Sequence, residues 1–472
     1  MLSRPWPPGS LPAGLLGRRR PGRFRFDFLA LLSLLLLGYA VGGKAFAYLG
    51  YSQIYIGEAA LAAGSLALLV RVRSWLLLRS GVILPLLLLL IWGGCRLAPD
   101  LAEHGVIALR DAVIWGYGWF AVLVYVSLVE RPSRLAALSD RYAVFVRYGP
   151  VFMALMWALS TALNVITVTP YGTPAAVLKG GELTVHAAGM IAFLYLRVRP
   201  LNAGWILGPA LLCVLGLNTR AGVLSVFAAV AFLLVIRPSG RKVAAVLGTF
   251  LILVVVLALV DFRFVMPVTG REISVDSVGQ GIESLFSETG SENLDGTKRW
   301  RLLWWQKIYG YTIEGDYFWT GKGFGANLAD DDGFSLDSFR TLRSPHNSHL
   351  TMLARGGVPG FFLWMLAQGL WFAGMLVAHI RCVRSREDGW ARLSLFLLTY
   401  WIAFVVNASF DVFLEGPMAG IWFWTVFGTG LAVIRLHPRH RLAHAQRQDL
   451  YAAPVWARPC AAGSPARLRT GA

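Results

Sequence analysis

The residues best suited to chemistry lie in four short patterns. The first is Ser344-Pro345-His346-Asn347, followed after nine residues by Gly357-Val358-Pro359-Gly360. Pro345 stops one segment, and His346 stands where the chain turns back toward an apolar run. A neutral imidazole at a wet interface can take a proton near neutral pH. At a helix start it can equally serve as a cap or hydrogen-bond partner. The second pattern is Asn218-Thr219-Arg220-Ala221-Gly222, at the end of another apolar run. Arginine at a membrane boundary is costly and needs a reason. It can snorkel to headgroups, or grip an anionic lipid ligand in its planar fork. The third, Gly321-Lys322-Gly323-Phe324-Gly325, lacks the βαβ setting of a dinucleotide site and reads as a tight turn near a substrate or a plain loop. The fourth, Asp330-Asp331-Asp332, has a spacing that could hold a divalent cation but reads better as a solvated acidic loop. His346 and His349 have no glutamate completing a zinc motif, so no metal is expected.

These patterns must be held by the elements around them. Segment 262–356 carries nearly half of the acidic residues. Within it, 297–313 reads as an amphipathic helix, with Trp300, Trp304, Trp305 and Ile308 interleaved with Lys298, Arg299, Arg301 and Lys307. Such a helix suits a membrane interface, either as a simple anchor or as part of a substrate site.

The rest of the chain is far more apolar. Of its 472 residues 56% are hydrophobic and only 15% are charged, against about a quarter charged in soluble proteins. Twelve apolar spans are expected, at roughly 27–43, 54–70, 80–94, 112–128, 146–163, 183–197, 201–217, 221–236, 243–261, 357–380, 391–408 and 418–435. The sixth is short. With the N-terminus inside, 29 of the 44 Lys and Arg fall on inner segments, and the short outer loops hold only Lys44, Arg96, Arg110, Lys179 and Arg220. The net charge of +18 is therefore a topology signal, and no nucleic-acid partner is expected. Arg18–Arg20, the run from Phe28 and Ala45-Phe46-Ala47 also resemble a signal peptide; an uncleaved first span is preferred.

The expected fold is an all-α integral membrane protein of about 12 transmembrane helices, with one long outer loop containing short amphipathic helices. Residues 1–26 form a basic cytoplasmic N-terminus, 27–261 a bundle of about nine helices, 262–356 the long loop, 357–436 about three more helices, and 437–472 a disordered cytoplasmic tail rich in Arg, His, Ala and Pro. Cys95, Cys213, Cys382 and Cys460 include no CxxC pair, so neither a disulfide framework nor a zinc site follows.

Taken together and in this order, the patterns resemble the O-antigen ligase and polysaccharide polymerase superfamily. Thr219-Arg220-Ala221-Gly222 matches the family's Arg-Gly-like span start. Arg301 and Trp305 match an Arg-x-x-x-Trp helix, and Gly321, Gly323 and Gly325 a Gly-x-Gly-x-Gly turn. His346, Asn347, Gly357 and Gly360 match His-Asn-x9-Gly-x-x-Gly. Motifs cover about 215 to 380, with hydropathy alone beyond. One departure is Arg355, where the family often has Glu two residues before the first glycine of the last motif.

The resemblance implies a transferase acting on undecaprenyl-diphosphate-linked glycan at the periplasmic face of the bacterial inner membrane. It implies that Arg220 and Arg301 neutralise the diphosphate and that His346 deprotonates or orients the acceptor hydroxyl. Asn347, Trp305 and the glycines support them, with no metal or nucleotide cofactor. The acceptor is a growing glycan or a lipid A core, with membrane lipids around it and a chain-length regulator as a conceivable partner. Arg355 and the Trp-rich stretch lean slightly toward a polymerase. A protein O-glycosylating member is less favoured. The competing class is a transporter or flippase, which calls for charges at the bilayer midplane. Few charges answer that description: Glu58 lies near the outer third of its span and His186 in the short sixth.

Overall fold

A computed structural model describes residues 27–51, 54–70, 72–163, 178–216, 219–261, 263–265, 272–274, 292–335 and 342–452. The basic segment 1–26, Asn218, most of 266–291 and the tail from 453 lie outside the described residues. Helices dominate: α1 Phe28–Ala47, α2 Ile56–Leu69, α3 Val72–Trp75, α4 Leu84–His104, α5 Val106–Gly116, α6 Gly118–Glu130, α7 Ser133–Leu163, α8 Gly180–Leu196, α9 Leu207–Gly216, α10 Arg220–Ile236 and α11 Gly240–Leu259. After these come α12 Glu292–Ile313, α13 Leu328–Asp332, α14 Ser348–Arg384, α15 Asp388–Ala408 and α16 Pro417–Ala452. Among the described residues, strands are limited to two antiparallel pairs of two residues each, Gly50–Tyr51 with Ile54–Tyr55 and Phe264–Val265 with Glu272–Ile273.

Each of the twelve expected apolar runs falls on a helix. Among the described residues, however, only six helices are long and apolar enough to cross a membrane, or seven if α5 and α6, bent by 46°, form one span. Ile56–Leu69, Ala203–Gly216 and Arg220–Ile236 are apolar but shorter. The last helix runs to Ala452, past the boundary at 437 expected for the tail. The protein is a mostly helical membrane protein.

Two cores organise it. The large one lies within the bundle, with α8 at its centre; nearly every residue of α8 is buried. The small one lies under the long loop and joins Trp304, Ile308, Leu328 and Ala329 to Leu353 and Ala354 at the start of α14. The expected amphipathic helix thus exists as α12, but with a different orientation from a simple anchor. Trp304 is fully buried, stacked on Phe334 at 5.3 Å between ring centres. Leu302, Leu303, Tyr309 and Ile313 are the exposed large apolar residues of α12 among the described ones.

α14 is two helices joined at a break. Gly357 has φ 63° and ψ −170°, and Pro359 follows it. Past the break, Gly360 lies so close to the Trp92 ring of α4 that no side chain fits there. Gly357→Ala is expected to lower stability by about 1–3 kcal/mol, because that backbone region is open essentially only to glycine. A Cβ there would also meet the Phe318 carbonyl oxygen. Thermal unfolding of the purified protein in detergent checks this; an unchanged midpoint would contradict it.

Candidate active site

The break in α14 explains why two glycine motifs occur in one chain. In an unbroken helix the Ala354 carbonyl would accept from the Val358 amide, and the Arg355 carbonyl from residue 359. Here the Val358 amide instead donates to the Phe318 carbonyl, at 2.8 Å. Pro359 has no amide hydrogen to give. Both carbonyls are filled by the other motif: Lys322 N–H donates to Ala354 O at 2.8 Å, and Gly323 N–H to Arg355 O at 3.0 Å. Gly321, Gly323 and Gly325 all have positive φ, which lets the turn lie directly on the helix backbone.

The next two amides of the turn reach α4 and α5. Phe324 N–H donates to Asp100 Oδ2 at 2.8 Å, and Gly325 N–H to Asp111 Oδ2 at 3.0 Å. The turn is therefore a structural plug rather than a substrate cradle, since these four consecutive amides are already used.

Arg355 belongs to the same plug. It is 1% exposed and pairs with Asp111 at 3.0 Å, while donating to Gly323 O and Ala326 O. Arg343 pairs with the same Asp111 oxygen at 2.8 Å. The charge reversal at 355 is thus answered inside the protein, and it gives no support to a polymerase over a ligase. Asp332, expected in a solvated acidic loop, is instead buried. It accepts from Trp304 Nε1 at 2.7 Å and pairs with Lys322 at 2.6 Å. That arrangement uses the carboxylate as a structural acceptor; Asp331 alone of the three is exposed.

On this platform stands His346. Its φ of 53° places it in the left-handed region, directly before Asn347. The Asn347 side chain caps α14 by accepting from the His349 and Leu350 amides at 3.0 and 3.1 Å. His346 Nδ1 lies 3.5 Å from Asp411 Oδ1, in the loop between α15 and α16. The other Asp411 oxygen lies 3.5 Å from Lys179 Nζ at the N-cap of α8. α12 clamps both loops: Trp305 Nε1 donates to Pro345 O at 2.8 Å, and Arg301 Nη1 to Phe410 O at 2.9 Å. The Trp300 ring packs 6.3 Å from that of His346.

Arg220 opens α10 at the same end of the bundle. Its first turn packs on the first turn of α8, where a Cβ on Gly222 would meet Thr184 Oγ1 at 2.7 Å. The N-termini of α8, α10 and α14 therefore lie at one end together with Lys179, Arg220, Arg301 and His346. Helix N-termini carry partial positive charge, so this end suits an anion.

The electrostatics follow from burial and pairing. Burial pushes the Asp411 carboxyl up, but Lys179 and His346 outweigh it and hold it well below the usual carboxylate range. Burial pulls Lys179 down, and Asp411 and Glu182 more than restore it, so its ammonium is held above the ordinary value. Burial raises Glu415, against the hydrogen bond from Thr351.

His346, Arg301 and Trp305 are thus brought together, with Arg220 at the same end; Gly321, Gly323, Gly325, Gly357 and Gly360 serve the platform. Asp411 and Lys179 were missed as site residues. A usable signal existed: Asp411 and Glu415 stand in a short link between two long apolar runs. Glu58 and His186, the pair a transporter would need, have local partners: Glu58 accepts from the Tyr55 amide, and His186 meets Tyr400 Oη at 2.6 Å.

Two outcomes are expected. Arg355→Met leaves Asp111 with half its charge partners in a buried site and should cost about 3–5 kcal/mol, read as lost folded yield or a lower thermal midpoint. Asp411→Asn tests the depressed carboxyl. Its stabilising share is complete above the ordinary aspartate value of 3.8 and fades as pH falls through the lower folded value. The midpoint difference between wild type and variant should therefore be full at neutral pH and shrink below about pH 4. A difference independent of pH would contradict it.

Residues 204–365 match the family model described as O-Antigen ligase. No curated protein matches the chain. The matched third of the sequence contains Arg220, Arg301, the glycine turn, His346, Gly357 and Gly360, whereas Lys179 and Asp411 lie outside it. Through this segment the chain is similar to the O-antigen ligase and polysaccharide polymerase superfamily.

Proposed function

We propose that the protein is a glycosyltransferase that moves a glycan from undecaprenyl diphosphate to a sugar hydroxyl at the periplasmic face of the bacterial inner membrane. The observation that carries this reading is the His346–Asp411–Lys179 array at 3.5 Å contacts, beside Arg301 and at the end where Arg220 opens its helix. The match over residues 204–365 supports a ligase or polymerase in the general sense; the donor, the acceptor face and the residue roles are the proposal.

The chemistry is one displacement. The acceptor oxygen bonds to the anomeric carbon, the bond from that carbon to the phosphate oxygen breaks, and the diphosphate leaves on its lipid. Its growing negative charge needs compensation, which Arg220, Arg301 and Lys179 supply together with the helix N-termini. The acceptor's proton goes to His346 Nε2. Asp411, 3.5 Å from Nδ1, stabilises the imidazolium that forms. With cations for the leaving group and a base for the nucleophile, the reaction has its parts without a metal ion.

The test uses purified protein in lipid vesicles, with undecaprenyl-diphosphate-linked oligosaccharide in the presence and absence of a lipid A core acceptor. Wild type should transfer. A ladder from donor alone marks a polymerase, and a single transfer requiring the core marks a ligase. His346→Ala should lose about 10²–10⁴-fold in rate. Asp411→Asn should lose at least about tenfold, with little further loss when combined with His346→Ala, because the two act as a unit. Normally folded His346→Ala protein with full activity would sink the assignment, and multiplying losses in the double variant would sink the dyad.

A further inference from the structure

At the end of the bundle opposite His346, three helices bring a cysteine, a glutamate and a histidine together. Cys382 is in the last turn of α14, Glu387 is the N-cap of α15, and His437 lies on α16. Cys382 and His437 are buried and Glu387 is half-buried. One ligand atom from each, Sγ, a carboxylate oxygen and a ring nitrogen, lies within 4.8 Å of the other two.

The local backbone explains the convergence. Arg386 takes a left-handed conformation with φ 55°. Its amide donates to Val383 O at 3.0 Å, and the Glu387 amide to Cys382 O at 2.9 Å. This closing turn at a helix C-terminus folds Glu387 back beside Cys382. α16 then delivers His437, whose Nε2 pairs with the Glu387 carboxylate. The Trp390 ring packs edge-on against the imidazole at 5.9 Å and fixes its plane.

We propose that Cys382, Glu387 and His437 bind a divalent late first-row metal ion, Zn2+ by ligand type, as a clasp on the ends of α14, α15 and α16. Thiolate, imidazole and carboxylate are the three ligand classes that Zn2+ accepts, at about 2.0–2.3 Å each. Such bonds place ligand atoms about 3–4 Å apart, so small side-chain rotations from the observed spacing close the set. Thiolate and carboxylate together balance the charge of a divalent cation. The fourth position is left to water. The ion is structural, because α14 alone runs 37 residues between this end and the His346 end. The inference is independent of the transfer reaction.

The probes are Co2+ and Zn2+ alone, added to full-length protein with a histidine-free affinity tag after chelator treatment. A single equivalent of Co2+ should bind with a thiolate-to-cobalt charge-transfer band in the near ultraviolet. Zn2+ should displace it and raise the thermal midpoint. Cys382→Ser should abolish the band. Glu387→Gln, the milder change, should weaken Co2+ binding by at least the roughly tenfold that even outer-shell changes cost. Absence of the band in wild type, or its persistence in Cys382→Ser through another cysteine, would overturn the proposal and leave a Glu387–His437 ion pair.

Discussion

Two backbone carbonyls left without donors govern this end of the molecule. A buried peptide oxygen needs a hydrogen bond, and the Gly357 break with Pro359 strips that bond from Ala354 and Arg355. The Gly321–Gly325 turn supplies the donors and is pinned there by Asp100 and Asp111 on the bundle. Arg355 and Arg343 then neutralise Asp111. Once the turn is seated, α12 and α13 pack their tryptophan and leucine residues over it. The start of α14, with His346 and Asn347 before it, is thereby fixed in place.

The same constraint turns a polar loop into a rigid shelf on an apolar bundle. Loops rarely position catalytic groups well unless supported from beneath. Here the support comes from a second core of six buried residues and from α12, which grips Pro345 through Trp305 and Phe410 through Arg301. His346 and Asp411 come from different links between helices, 65 positions apart. They meet because α12 holds both.

The sequence made the helices legible, since each apolar run falls on helix, with 112–128 divided between α5 and α6, and it singled out His346, Arg301 and Arg220 by type and spacing. What it concealed is pairing across distance. Arg355 read as a departure from the family pattern, because its partner Asp111 is far away in sequence. Asp332 read as solvated because its partners Trp304 and Lys322 are set by the fold. The tryptophans of α12 matched an interfacial anchor, yet Trp304 turned inward to a core that no local period encodes.

The central claim is that anion-holding cations and the His346 base are separate parts of one site. Its most direct test measures, in the same vesicles, donor affinity and transfer rate for His346→Ala and for the Arg220→Ala, Arg301→Ala pair. The account predicts that His346→Ala binds lipid-linked donor like wild type while transfer falls away, and that the arginine pair loses donor affinity. Full transfer by His346→Ala, or wild-type donor affinity without both arginines, would contradict it.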